Sequence, residues 1–212
     1  SNFGIFKNSS TLTYSDGTNV SGNAATTGIL DELNAYLNSQ KVNGGTVGAD
    51  QTICAGSTPA ALTSSAAASG GLGSYTYQWQ SSTDNVTFSN ITNANSAGYT
   101  PGVLNATTYF RRVASDGILD AASNVITITV GSLPVISANG TAVSSPLSVC
   151  VGTGAQWAGS GTAASSNAWV SSNASVVKLT IIPPSSNLFV NYLSSGTANV
   201  TYTNSDGCSK TI

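Results

Sequence analysis

The side chains able to do chemistry in this 212-residue chain are few: seven aspartates, the single glutamate Glu32, and the cysteines Cys54, Cys150 and Cys208. Histidine is absent, which removes the commonest general base and metal ligand. Ser-His-Asp and Cys-His arrangements cannot be built, nor can HExxH or two-His-one-carboxylate metal sites. The aspartates lie scattered among Gly/Ser/Asn turns. A glycosidase pair, with carboxyls about 5 to 9.5 Å apart, therefore has no local signature. The acidic turns at Asp84, Asp116/Asp120 and Asp206 are where calcium would be sought. None carries a DxDxDG-like cluster, so they read as solvated turns. Gly70-Gly71-Leu72-Gly73 lacks the Lys-Ser/Thr end of a phosphate loop and leads into a strand, so it reads as a hairpin turn. No catalytic residue, metal or other cofactor is expected, and the chain reads as non-enzymatic.

Charge points the same way. Only 7% of residues are charged and the net charge is −2, against roughly 25% charged in a typical soluble domain. Ser (34), Thr (26) and Asn (20) supply the polarity instead. Six dispersed cations do not form the Lys/Arg stripe that nucleic acid requires. The nearest cluster, Arg111-Arg112, alternates faces of a strand and reads as ordinary strand charge. No run approaches the roughly 20 apolar residues of a membrane span. Hydrophobic residues at 40% still permit a core. The chain opens at Ser1 and holds no Met, which reads as a processed product or a segment of something longer.

Three zones position these residues. Residues 1–44 begin with alternating Phe3-Gly-Ile5-Phe6-Lys7 and Thr11-Leu-Thr-Tyr14. Ile29, Leu30, Leu33, Tyr36 and Leu37 then fall on one face at helical spacing. Thr27 suits the cap of this short N-terminal helix, Asp31 and Glu32 its positive end, and Asn43-Gly44-Gly45 its stop. Residues 45–131 alternate in strand fashion at Tyr75–Gln80, Val86–Phe88, Thr107–Val113 and Val125–Val130, separated by Gly- and Asp-rich turns. A junction, Gly131-Ser-Leu-Pro134, leads to a second β unit over 134–212. Its expected strands are Val135–Ser137, Leu147–Cys150, Ala168–Val170, Leu188–Tyr192 and Ala198–Tyr202. Short strands at this spacing predict an all-β chain of two tandem sandwiches.

At residues 50–130 the sequence resembles the repeats of Bacteroidetes gliding-motility and cell-surface adhesins of the SprB type. The resemblance rests on Asp50-Gln-Thr-Ile-Cys54-Ala-Gly-Ser-Thr-Pro59, Tyr75-Thr-Tyr-Gln-Trp79-Gln, Tyr99-Thr-Pro101-Gly, Thr107-Thr-Tyr109-Phe-Arg-Arg-Val113 and Ser123–Val130, in order. Residues 134–212 are similar, more loosely, to a bacterial Ig-like domain: Val149-Cys150-Val-Gly, Ala168-Trp169-Val, Ser195-Gly196-Thr-Ala198-Asn-Val-Thr-Tyr202 and Asp206-Gly-Cys208. The resemblance implies Ig-like sandwiches, export by the type IX secretion pathway, display at the cell surface and a structural or adhesive role.

It also implies site residues. Trp79, Tyr109 and Trp169 become core positions, with Trp79 as the central-strand tryptophan and Tyr109 as a tyrosine corner; Trp157 is read likewise. Cys150 and Cys208 flank strands of one sandwich and become a structural disulfide worth roughly 4 kcal/mol. Related repeats carry a partner for Cys54 near the position of Ile118 or Leu119, which is missing here, so Cys54 becomes a buried free thiol or is linked to another chain. Modules of the second type finish with a full last strand, whereas Ser209–Ile212 is about half of one. Phe3, Ile5 and Phe6 lie on a spare alternating strand, which reads either as a linker or the remainder of an upstream module, or as a donor to the sandwich of a second copy. Head-to-tail self-association into a filament or a longer adhesin is then expected. The competing reading is a carbohydrate-binding sandwich of a secreted protein, touching surface polysaccharide through exposed tryptophans.

Overall fold

The computed structural model describes residues 6–8, 11–13, 19–20, 41–182 and 186–212. The helix expected over Ile29–Leu37, and Phe3 and Ile5 of the candidate donor strand, lie outside these residues. Among the described residues the chain is all-β, organised as two tandem Ig-like sandwiches. Ahead of them, β1 (Phe6–Asn8), β2 (Thr11–Thr13) and β3 (Asn19–Val20) form an antiparallel sheet in the order β1-β2-β3. Among the described residues Phe6 therefore sits on an edge strand, paired on one side with Thr13.

The first sandwich is built around a sheet of β5 (Gln51–Cys54), β11 (Ile126–Gly131), β9 (Thr108–Ser115), β7 (Thr76–Ser82) and β8 (Ser89–Asn90), in that order. A short strand, β10 (Asp120–Ala122), pairs with the far end of β9. β5 runs parallel to β11, and the other pairs are antiparallel. The β8-β7-β9-β11 portion follows the C′-C-F-G order of an immunoglobulin variable-type sheet. The facing layer is small, with β4 (Thr46–Val47) paired to β6 (Ser64–Ala66) and a bridge between Leu62 and Tyr99. Alternation aims Trp79, Phe110, Ile126 and Ile128 into the space between the layers. Trp79 is fully buried and donates its indole N–H to Ser96 O at 3.0 Å.

The second sandwich has one sheet of β13 (Thr141–Ala142), β12 (Ile136–Ala138), β14 (Gly154–Gly159), β17 (Asn187–Tyr192) and β16 (Val177–Ile182). The other sheet is β15 (Trp169–Ser171), β18 (Val200–Thr203) and β19 (Ser209–Thr211). The orders β12-β14-β17-β16 and β15-β18-β19 are the A-B-E-D and C-F-G layers of a constant-type immunoglobulin domain. Trp157, Trp169 and Tyr202 fill the interior; the Trp157 and Trp169 rings meet edge to face at 6.4 Å, and Trp169 lies 4.7 Å from Tyr202. Gly159 is required here, because a Cβ at that position would collide with the Tyr202 ring.

The observed elements depart from the sequence expectations at several points. Val86–Phe88, expected as a strand, is an irregular segment ahead of β8. Leu147–Cys150 is an exposed loop, not a strand. β14 and β16 were not anticipated as strands. Tyr109 is not a core residue: β9 buries Phe110, Arg112 and Ala114, and pairing of Phe110 with Ser81 and Ile126 fixes that phase. Tyr109 consequently points to the opposite face, half-buried, and a tyrosine corner there is ruled out.

Candidate functional site

Two features stand out once the elements are placed: the junction between the sandwiches, and an apolar groove at the far end of the second one.

The junction grows from the end of β5. Cys54 is in register with Gly131, the last residue of β11, and Gly131 O accepts a hydrogen bond from Ala55 N at 2.9 Å. The turn between β18 and β19 is brought against this point. Asn204, almost fully buried, accepts from Cys208 N (2.9 Å) and Asp206 N (3.2 Å) through Oδ1. Its Nδ2 donates to Ser132 O at 3.0 Å, which ties the turn to the linker. Gly131 has no side chain to block the approach; a Cβ there would lie 2.7 Å from that of Asp206. The result is a disulfide between Cys54 and Cys208, with Cα atoms 5.5 Å apart and 154 positions between them in sequence.

This overturns the expected Cys150–Cys208 bridge and the expected free Cys54. Cys208 sits beside Gly131, at the junction. Cys150 precedes β14, whose first residue Gly154 pairs with Asn191 and whose last, Gly159, pairs with Ile136 just after the linker. Cys150 is thus about 15 Å or more away along the strands, well outside disulfide reach. It is the exposed free thiol.

The groove lies at that same far end. A cavity of about 430 Å³ is lined by Leu147, Trp157, Val177, Tyr192, Val200 and Ile212 on its apolar side and by Ser194, Ser195, Thr197 and Asn199 on a polar one. Leu147, Val149 and Val151 stand exposed on its rim. The Trp157 indole nitrogen is buried, and it does not reach the neighbouring Tyr192 hydroxyl with good hydrogen-bond geometry. Burial pushes the Tyr192 phenol above its usual range, and the neighbouring Trp157 only partly offsets this. β19 pairs with β18 on one side, and Ile212 exchanges backbone hydrogen bonds with Val200 at the groove.

The remaining sequence candidates have structural roles. Asp84 Oδ1 accepts from Ser82 Oγ, Val86 N and Thr87 N, which holds its carboxyl well below the usual range. Asp116 accepts from Leu119 N and Ile118 N through Oδ1 and from Leu72 N through Oδ2, and is lowered likewise. These oxygens are directed at local N–H groups and the Ser82 hydroxyl, not at a common point. Gly70 to Gly73 form the turn that Asp116 braces. Trp79, Trp157 and Trp169 are all buried, so none offers the stacking face that a carbohydrate reading requires.

Arg112 is not the ordinary strand charge that the sequence suggests. It is fully buried, with Nη1 donating to Ala97 O (2.9 Å), Nη2 to Gly44 O (3.1 Å) and the guanidinium over the Tyr77 ring at 4.4 Å. It faces inward where its neighbour Arg111 faces Gln80 and Phe88 on the other side of the sheet. The signal was present in the period-two pattern, since Arg112 shares the phase of Phe110 and Ala114.

Residues 43–132 match a family described only as a domain of unknown function, DUF8696. No curated protein matches the chain. Among solved structures it is similar to the crystal structure of Dpr2 Ig1-Ig2 in complex with DIP-Theta Ig1-Ig3, with 14% identity and a TM-score of 0.34. That match covers 81% of this chain and 63% of the other, so the chain spans less than two thirds of the matched chain's length.

Proposed function

We propose that this chain is a non-enzymatic, extracellular structural module of a bacterial surface adhesin or filament. The observation that carries this reading is the doubled connection at the junction: the two sandwiches are joined by the linker and, beside it, by Cys54–Cys208. A disulfide that closes such a long loop belongs to an oxidising compartment outside the cytoplasm, and a doubled connection suits transmission of load. The low charge, the lack of histidine and the resemblance to gliding-motility adhesin repeats support the same reading.

Assembly proceeds head to tail by strand donation. The chain enters the first sandwich at the end away from the junction, where Gly44 lies against Ala121 and Ala122. The groove lies at the end of the second sandwich away from the junction. The apolar sequence Phe3 to Lys7, which precedes the first sandwich of one copy, suits the groove at the opposite pole of the next; among the described residues β1 pairs on one side only, with β2. Such a contact does not close on itself and generates a filament. Deleting Ser1–Lys7 is expected to leave folded monomers that no longer assemble. Filaments that form with unchanged stability overturn strand donation.

A further inference from the structure

We infer that the Cys54–Cys208 bond is a mechanical bypass that removes most of both sandwiches from the path of tension. Its purpose rests on the structural role proposed above, while the bypass itself follows from connectivity alone. Tension applied at the two ends of the chain enters the first sandwich near Asn43 and Gly44, at the pole away from the junction. It runs through β4 and β5 to Cys54, which lies at the junction beside Gly131. There it crosses the disulfide to Cys208 and leaves along β19 toward Val200 and the groove pole. The route follows β4 and β5 in the first sandwich and β19 in the second. Every residue from Ala55 to Gly207 hangs outside the route. β7, β9, β11, β14, β16 and β17, with Trp79, Trp157 and Arg112, can therefore be distorted by force but cannot be pulled out to length.

Chain geometry sets the size of the effect. The bond spans 154 sequence positions, equivalent to about 500 Å of extended chain at roughly 3.4 Å per residue. The alternative pairing of Cys150 with Cys208 would withhold only about 200 Å, and a Cys54–Cys150 pairing about 330 Å. The three arrangements are thus distinguishable by length alone.

The experiment is single-molecule pulling on the isolated 212-residue chain with handles at Ser1 and Ile212, first oxidised, then with dithiothreitol added while the molecule is held. Full extension under high force is the same whether or not a variant folds, so a misfolded cysteine mutant still gives an interpretable length. The expected result is an oxidised contour about 500 Å shorter than that of the reduced chain and of Cys54→Ser, with Cys150→Ser matching the wild type. An oxidised chain that extends fully, or falls short by only about 200 or 330 Å, overturns the bypass. Because the chain is pulled singly, failure to form filaments would refute strand donation without touching this result.

Discussion

Arg112 shows how a single residue can lock two layers together. Its guanidinium reaches from β9 to the carbonyls of Gly44 and Ala97, on segments outside its own sheet. Burial draws its proton affinity down, with Tyr77 opposing, yet a guanidinium remains charged throughout the practical pH range. Arg112→Ala leaves two carbonyls without their donors and opens a void, so a loss of about 3 kcal/mol is expected in urea unfolding. Arg111→Ala, on the opposite face, should cost under about 1 kcal/mol. Two adjacent arginines in an alternating run are indistinguishable by composition, and only the phase set by Phe110 and Ala114 tells them apart. The Asp84 and Asp116 turns give a pH prediction. The Asp84 carboxyl is depressed first by the Ser82 hydroxyl and then by the Val86 and Thr87 N–H groups, and that of Asp116 by the Leu119, Ile118 and Leu72 N–H groups, so their stabilisation is present above the ordinary carboxylate range and is lost as pH falls below about 4. Amide exchange protection at Val86, Thr87, Ile118 and Leu119 should therefore drop on acidification before that of β7 or β9, and Asp84→Asn should abolish the pH dependence at its own turn.

At the level of elements, the strands carrying β-branched and aromatic residues in strict alternation could be read from sequence: β7, β9, β11, β17 and β18 all fall close to their expected spans. β14 could not, because Gly154-Ala-Gln-Trp-Ala-Gly159 has weak strand propensity and is held by its neighbours β12 and β17. Leu147-Ser-Val-Cys150 misled in the opposite sense: its apolar residues alternate, but they rim a groove and pair with nothing. The contact between layers in the second sandwich depends on Gly159 lying flat under Tyr202. Gly159→Ala forces that ring aside and should cost about 1–3 kcal/mol, with loss of the near-ultraviolet circular dichroism arising from the Trp157–Trp169–Tyr202 cluster.

Across the whole molecule, the cysteine pairing decides what kind of object this is. A bridge within the second sandwich would leave two beads on a short linker, whereas Cys54–Cys208 makes the beads one body. Pairing was not legible in the sequence because three cysteines allow three bridges, and spatial proximity, not spacing, selects among them. The resemblance pointed to Cys150 because that residue flanks an expected strand; the fold puts it at the wrong pole. Chain-entropy arithmetic for a loop of this size gives about 5 kcal/mol. Reduction should accordingly lower the melting temperature of wild type and leave Cys54→Ser unaffected, while Cys150→Ser should shift stability by less than about 0.5 kcal/mol. The central claim, that this chain connects and transmits rather than transforms, is tested most directly by electron micrographs of the purified native material. Regular fibres, each repeat holding one pair of sandwiches, are the expected result; separate particles at every concentration would contradict it.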